Sequence, residues 1–429
     1  MGAQFASRTA ARSNVRPGFH PFDGIEPDLD REIDLEQIEA LERSGQPEGP
    51  GASQPRRGAR PAPFAEPQLR RPPEHGRGAT INPASRFDRQ ETNAFDDGWE
   101  TLAAEFADLA PLRTTMLRDS SRTAISWNKS PDIGFDRAVN PYRGCEHGCV
   151  YCYARPSHAY LGYSPGVDFE SKLLYKPDVA SLLEKELRKP GYTARPLALG
   201  SNTDPYQPIE RTLKLTREVL EVMDRFSHPV TIVTKSAGVL RDIDILQELA
   251  SRNLVRVYIS LTTLDAPLAR KMEPRAATPY RRLQALTELS QAGIPTGVLA
   301  APMIPGLNDA ELERILEAAH KAGARQAGYV LLRLPHELKQ IFEDWLHTNV
   351  PERARHVLQL IRETRGGGLN DANFGKRFIG TGVYADLLAR RFAVAARQFA
   401  LHERDDLDCT QFRAPSTQHG FAETQMSLF

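Results

Sequence analysis

The chain has 429 residues, 40% of them hydrophobic, and carries 55 basic against 55 acidic side chains. That supports one large or two medium domains with a sizeable core. It excludes a whole-molecule field that would force a nucleic-acid or membrane-surface partner, leaving only local patches for such a role.

The opening "MGAQFASRTAARSNVRPGF" lacks the apolar stretch of a secretory signal, and no apolar run long enough to span a bilayer follows it, so a cytoplasmic protein is expected. Residues 1–115 read as an Arg/Pro/Gly-rich arm, too poor in apolar side chains to offset the entropy lost on ordering. Most of it is expected to be disordered, with short helices at "DLEQIEALERS" and "GWETLAAEFADL". It is either a solvated tail or a basic arm that touches nucleic acid.

Residues 116–350 form the expected core. The segment entering "GCEHGCVYCYAR" and then "PLALGS" (196–201), "PVTIVTK" (229–235), "VRVYISLTT" (255–263), "PTGVLAAPMI" (295–304) and "AGYVLLRL" (327–334) read as strands. Amphipathic helices such as "IERTLKLTREVLEVMDRFS" and "TPYRRLQALTELSQAG" lie between them. About six β-then-α units predict an α/β fold with a parallel sheet and right-handed crossovers, an incomplete (β/α)6 TIM-like barrel, because eight units would need more chain. Chemistry is then expected at the C-terminal ends of the strands.

Residues 351–404 read as a helical extension, with a turn at Gly366 to Gly368 and a helix in "VYADLLARRFAVAARQFAL" whose packing stripe is Leu387, Leu388, Ala395 and Phe399. Lys376, Arg377, Arg390, Arg391 and Arg397 are either phosphate contacts or a solvated face. Residues 405–429 read as a flexible tail.

Cys145, Cys149 and Cys152, three of the chain's four cysteines, are spaced C-x3-C-x2-C. In a reducing compartment such a cluster reads as a metal site. Thiolates suit iron–sulfur clusters, and a four-iron cubane usually takes four of them, so three leave one iron open to another ligand. The alternative is structural zinc with His147 or Cys409 as fourth ligand, although such sites usually pair two separated knuckles and no second knuckle is present. His147 otherwise reads as a solvated loop residue.

This spacing, with aromatic Tyr151 before the last cysteine and β/α units following, resembles the radical S-adenosylmethionine (SAM) superfamily over roughly residues 130–350. The resemblance implies one [4Fe–4S] cluster on Cys145, Cys149 and Cys152, with SAM on the open iron. It also implies a reductase such as flavodoxin or ferredoxin, and cleavage of SAM to a 5′-deoxyadenosyl radical. Other stretches resemble the spore photoproduct lyase branch, which implies a DNA substrate and lyase-like chemistry. On that resemblance "SNTDPYQPIE" puts Thr203 and Asp204 near the methionine or ribose part of the cofactor. Likewise "VTKS" and "YISLTT" aim Lys235 and Ser260 at its carboxylate, and "MEPRAATPYRRL" offers Glu273 and Arg275 as further polar contacts. Tyr151 and Tyr153 fall where substrate contact and radical relay are expected, with packing over the adenine or the barrel mouth as the alternative. One departure is Ser201, which stands where the branch has its hydrogen-donating cysteine. An O–H bond is far stronger than an S–H bond, so the same relay is not expected, and Cys409 is the only spare thiol.

The final "QMSLF" resembles the pentapeptide by which bacterial DNA repair and replication proteins dock on the sliding clamp, through Gln425, Leu428 and Phe429. The reading is a radical SAM enzyme acting on a lesion or modified base in DNA. The rivals are radical modification of RNA, protein or a small molecule, and a non-catalytic iron–sulfur sensor or adaptor.

Overall fold

The structure, a computed structural model, describes residues 76–87, 112–403 and 406–415. Most of the arm, including both of its expected helices, and the tail residues Gln425, Leu428 and Phe429 lie outside the described residues.

Among the described residues ten strands are formed: β1 (Thr115–Arg118), β2 (Ile125–Trp127), β3 (Arg137–Val139), β4 (Tyr142–Arg143), β5 (Lys172–Tyr175), β6 (Leu197–Leu199), β7 (Val230–Thr234), β8 (Val255–Ser260), β9 (Thr296–Met303) and β10 (Gln326–Leu331). Seven make one sheet in the order β10-β9-β8-β7-β6-β3-β2. Every neighbouring pair from β3 to β10 is parallel and β2 is antiparallel to β3. All six expected strands are therefore present, as an α/β partial barrel. β8 is buried at every residue, as a parallel strand covered on both faces must be, which is why "VRVYIS" reads as a continuous apolar run interrupted only by Arg256 and Ser260. A second sheet, β1-β5-β4, was not legible, because strands of two to four residues carry too little alternation to register.

The described residues also form eight longer helices: α1 (Val179–Leu187), α2 (Leu215–Arg225), α3 (Ile243–Ser251), α4 (Pro279–Gln291), α5 (Leu312–Lys321), α6 (Leu338–Asn349), α7 (Pro351–Glu363) and α8 (Val383–Gln398). α4 starts where its signal stands, with Thr278 capping the Arg281 N–H and Pro279 opening the first turn. The helix read over "IERTLKLTREVLEVMDRFS" is broken at Lys214, which adopts φ 55°. The buried Glu210 carboxylate explains the break: it accepts the Thr216 N–H at 3.1 Å and so caps α2 from the preceding turn. On α8 the buried stripe is Ala385, Leu388, Ala395 and Ala396, with Leu387 only half-buried. Arg391 is held by Glu313 on α5 at 2.7 Å, so it is not available to phosphate.

The sheet does not close on itself. Its open side, between the β10 edge and the β2 edge, is spanned by residues 366–380. The Leu331 N–H of β10 donates to Phe378 O at 2.8 Å. Arg377 Nε donates to Asp132, in the loop between β2 and β3, at 2.8 Å.

Two buried histidines give the fold a pH dependence. His228 Nδ1 faces Pro229 O at 2.9 Å and its Nε2 faces the Tyr192 hydroxyl at 2.8 Å, a pairing suited to the neutral ring. Burial holds the pKa of His228 and of His158 down at about 4. Between the unfolded value near 6.5 and about 4, the unfolded chain binds protons that the native state refuses, so stability present above pH 6.5 is lost as pH falls through that window. Each group contributes up to about 3 kcal/mol of that loss. Thermal unfolding from pH 7 to pH 4 is expected to show a steep fall that is shallower in His228→Gln. An identical pH slope in the variant would remove His228 from this role.

Candidate active site

The cysteine loop leaves β3, passes through β4 and is closed by tight turns. Gly144 and Gly148 take φ of 78° and 68°, conformations that residues with a Cβ adopt poorly. The Gly148 N–H donates to Cys145 O at 3.3 Å and the Cys152 N–H to Cys149 O at 3.2 Å. All three thiols are free.

Arg155, missed in the sequence reading, anchors this loop. It is fully buried, and its guanidinium donates to the carbonyls of Cys149 at 2.9 Å, Gly148 at 3.1 Å and Gly166 at 2.8 Å, as well as to Glu170. Glu170, equally buried, also accepts the N–H groups of Gly78 at 2.9 Å and Ala79 at 2.8 Å. A piece of the N-terminal arm is thus strapped against the cluster loop. A Cβ at Gly78 would collide with the Gly148 carbonyl oxygen, so only glycine allows this approach. The signal available was the arginine directly following "CYA", but nothing local pointed to Glu170 as its partner.

The strand ends converge on the loop as expected for this architecture. Asp204, after β6, spends both carboxylate oxygens. Oδ1 accepts the Thr234 hydroxyl at 2.6 Å and the Tyr206 N–H at 2.9 Å, while Oδ2 accepts the Lys235 N–H at 2.7 Å and faces His147 Nδ1 at 3.3 Å. Burial works to raise its pKa, but the facing His147, the Lys235 N–H and the Thr234 hydroxyl outweigh it and hold the group at about 2. His147 is therefore a buried partner of Asp204 and not a solvated residue. Thr203 donates to Tyr142 O at 3.2 Å and Ser260 to Ala301 O at 3.2 Å. The Lys235 amine lies 5.7 Å from the Tyr151 ring centroid. Arg275 reaches Glu146 at 3.1 Å, and Gln207 brackets the loop by accepting the Glu146 N–H at 2.9 Å.

The two tyrosines separate. Tyr151 is 5% exposed, and its hydroxyl enters a buried network with Glu273 and Thr262, in which Arg282 also pairs with Glu273. Tyr153 is 50% exposed, its hydroxyl donating to Ser201 O and its ring 5.9 Å from the Arg333 guanidinium carbon. The Ser201 hydroxyl accepts from Asn140 at 3.1 Å. Cys409 sits in a segment bonded to Arg252 and Asn253, before β8 begins, so it lies at the end of the barrel opposite the cluster loop.

The donor set fits a cluster of several irons. Burial, the Asp204 carboxylate and the neighbouring Cys149 push the Cys145 thiol well up, and burial, Glu273 and Cys152 do the same to Cys149. The thiols sense one another, and metal binding must displace their protons.

The sequence profile of the radical SAM superfamily matches residues 139–319. An uncharacterized protein of Mycobacterium tuberculosis is 36% identical over 240 residues, covering 55% of this chain and 71% of that one. The chain belongs to the radical SAM superfamily. It is accordingly an enzyme whose cofactors are a [4Fe–4S] cluster and SAM, and Cys145, Cys149 and Cys152 fit the superfamily's CxxxCxxC motif. A radical SAM Nalpha-GlyT isomerase of Pseudomonas phage M6 is 24% identical over 240 residues, 54% of this chain and 48% of the isomerase. Among solved structures, spore photoproduct lyase complexed with dinucleoside spore photoproduct matches with a TM-score of 0.49 and 15% identity, covering 66% of this chain and 79% of the lyase. No helix of this radical SAM enzyme, among the described residues, is long and apolar enough to cross a membrane.

Proposed function

We propose that this radical SAM enzyme acts on a lesion or modified base in nucleic acid, in the first place DNA. The observation that carries the reading is Tyr153. One residue beyond Cys152, its side chain is half-exposed at the barrel mouth while its hydroxyl is held by Ser201 O, whereas Tyr151 is buried. A base stacked on an aromatic side chain gains about 1–3 kcal/mol. What the bound cluster and SAM supply is a one-electron cleavage that yields a 5′-deoxyadenosyl radical for hydrogen abstraction.

The chain's own residues take these roles. Cys145, Cys149 and Cys152 hold the cluster, and Lys235, whose amine is not committed to a carboxylate among the described residues, meets the carboxylate of SAM. Thr203, Asp204 and Ser260 act by fixing the strand ends, since their polar atoms are engaged with the backbone and with His147. Tyr151 acts in the same way through Glu273. Tyr153 touches substrate. Ser201 is not a hydrogen-atom donor to carbon, and Cys409 is too remote to serve, so the hydrogen balance differs from a cysteine relay. The "QMSLF" pattern supports docking of Gln425, Leu428 and Phe429 on a sliding clamp, and a flavodoxin or ferredoxin supplies the electron.

The test follows 5′-deoxyadenosine formed by anaerobically reconstituted enzyme with dithionite and SAM, with and without ultraviolet-damaged DNA. Product is expected to rise with damaged DNA, and Tyr153→Ala to cut the DNA-dependent part by about tenfold. Product indifferent to DNA would move the substrate to RNA or protein.

A further inference from the structure

Resting on the nucleic-acid reading above, we propose that Arg333 and Lys376 form a phosphodiester-binding seat on the open side of the barrel, which sets a substrate strand so that a base lies over Tyr153.

Arg333 follows β10 by two residues and lies between two rings, its guanidinium carbon 5.9 Å from the Tyr153 centroid and 4.9 Å from that of Phe378. It is half-buried, and its buried Nε has no hydrogen-bond partner among the described residues. Asp132 lies within electrostatic reach but is committed elsewhere, to Arg377 Nε at 2.8 Å and the Gly375 N–H at 3.2 Å. The neighbouring basic groups are spent as well. Arg365 donates to the carbonyls of Leu331, Leu332, Lys376 and Arg377, and Arg377 is tied to Asp132.

A partly desolvated cation without a counter-ion is costly, and an arriving anion removes that cost. Burial and then the facing Arg377 lower the Arg333 pKa, the direction expected of a charge waiting for a partner. Lys376 is exposed on the same spanning segment, "NFGKRF", between Phe374, which is 58% exposed, and Phe378. Phe378 is flanked by Arg333 and Arg377, which leaves half-exposed Tyr153 and Phe374 as the rings a base can reach. Cations beside exposed aromatic side chains are what a single nucleic-acid strand needs, charge for the phosphates and flat rings for the bases. An acidic peptide would use the charges and leave the rings idle.

The experiment measures fluorescence anisotropy of short labelled oligothymidylate and oligouridylate, with a labelled polyglutamate peptide as the competing class, on full-length cluster-loaded enzyme across a salt series. Arg333→Gln is expected to weaken oligonucleotide binding by about tenfold or more. It should also flatten the log–log salt slope by about 0.7, the value for one single-strand phosphate contact, as should Lys376→Gln. Arg333→Lys should recover the slope, and iron content and melting temperature report whether each variant is folded. A preference for the deoxy or the ribo strand identifies the source of the phosphodiester, and either supports the seat. If wild type binds oligonucleotides and Arg333→Gln binds them equally, the seat is refuted while the nucleic-acid reading stands. Equal loss of polyglutamate binding would overturn the phosphodiester assignment, and a wild type that binds neither strand would overturn both readings.

Discussion

Cys145→Ala, Cys149→Ala and Cys152→Ala enzymes are each expected to retain no [4Fe–4S] cluster and to form no detectable 5′-deoxyadenosine, whereas Cys409→Ala keeps both. The three thiols sit on one loop and influence one another electrostatically, while Cys409 lies against the segment before β8 at the other end of the barrel. A cubane left with two protein thiolates loses its seat, because no fourth cysteine is near enough to substitute. Iron and acid-labile sulfide assays on anaerobically purified protein check this directly. A full complement of iron in any single loop variant would sink the ligand assignment, and equal loss in Cys409→Ala would bring a fourth protein ligand into play.

Arg155→Met is the second large effect, expected to cost about 3–5 kcal/mol of stability, the usual result of stripping one partner from a fully buried ion pair. The substitution leaves the Glu170 carboxylate buried with only the Gly78 and Ala79 N–H groups, and it frees the carbonyls of Gly148, Cys149 and Gly166 from their donor. Glu170→Gln should be milder, since an amide oxygen still accepts from the strap. Denaturant unfolding of the reconstituted proteins, with cluster retention followed by absorbance, measures both. A midpoint unchanged from wild type in Arg155→Met would mean that the loop is held by something other than this pair. Because Arg155 touches the backbone of the cysteine loop and not the thiols, its loss should appear as faster cluster decay and lower stability together.

How legible this was depended on the distance over which each feature is encoded. The six parallel strands and the cysteine spacing were readable because each is written in consecutive residues: β8 as an unbroken buried run, α4 by its Thr278 and Pro279 start, the cluster loop within eight positions. The break at Lys214 was not readable, because its cause is a carboxylate that also bonds Tyr142 and Arg241, far away in sequence. His147 read as solvated for the same reason, since its partner Asp204 arrives from the end of another strand.

By itself, then, the sequence marked the thiol loop and the six strands along the chain, because spacing of thiols and hydrophobic period are properties of neighbouring residues, and the superfamily and its cofactors followed from what that loop resembles. Only the tertiary structure decided which groups are spent and which are free. Asp204 has all its acceptor sites filled, Tyr151 is buried while Tyr153 is open, and Arg155 is bound to Glu170 beneath the loop. Arg333 is left facing two rings without an anion among the described residues. Hydrogen bonding and burial are settled by contacts between distant segments, and a buried polar group declares its role only once its partners can be counted.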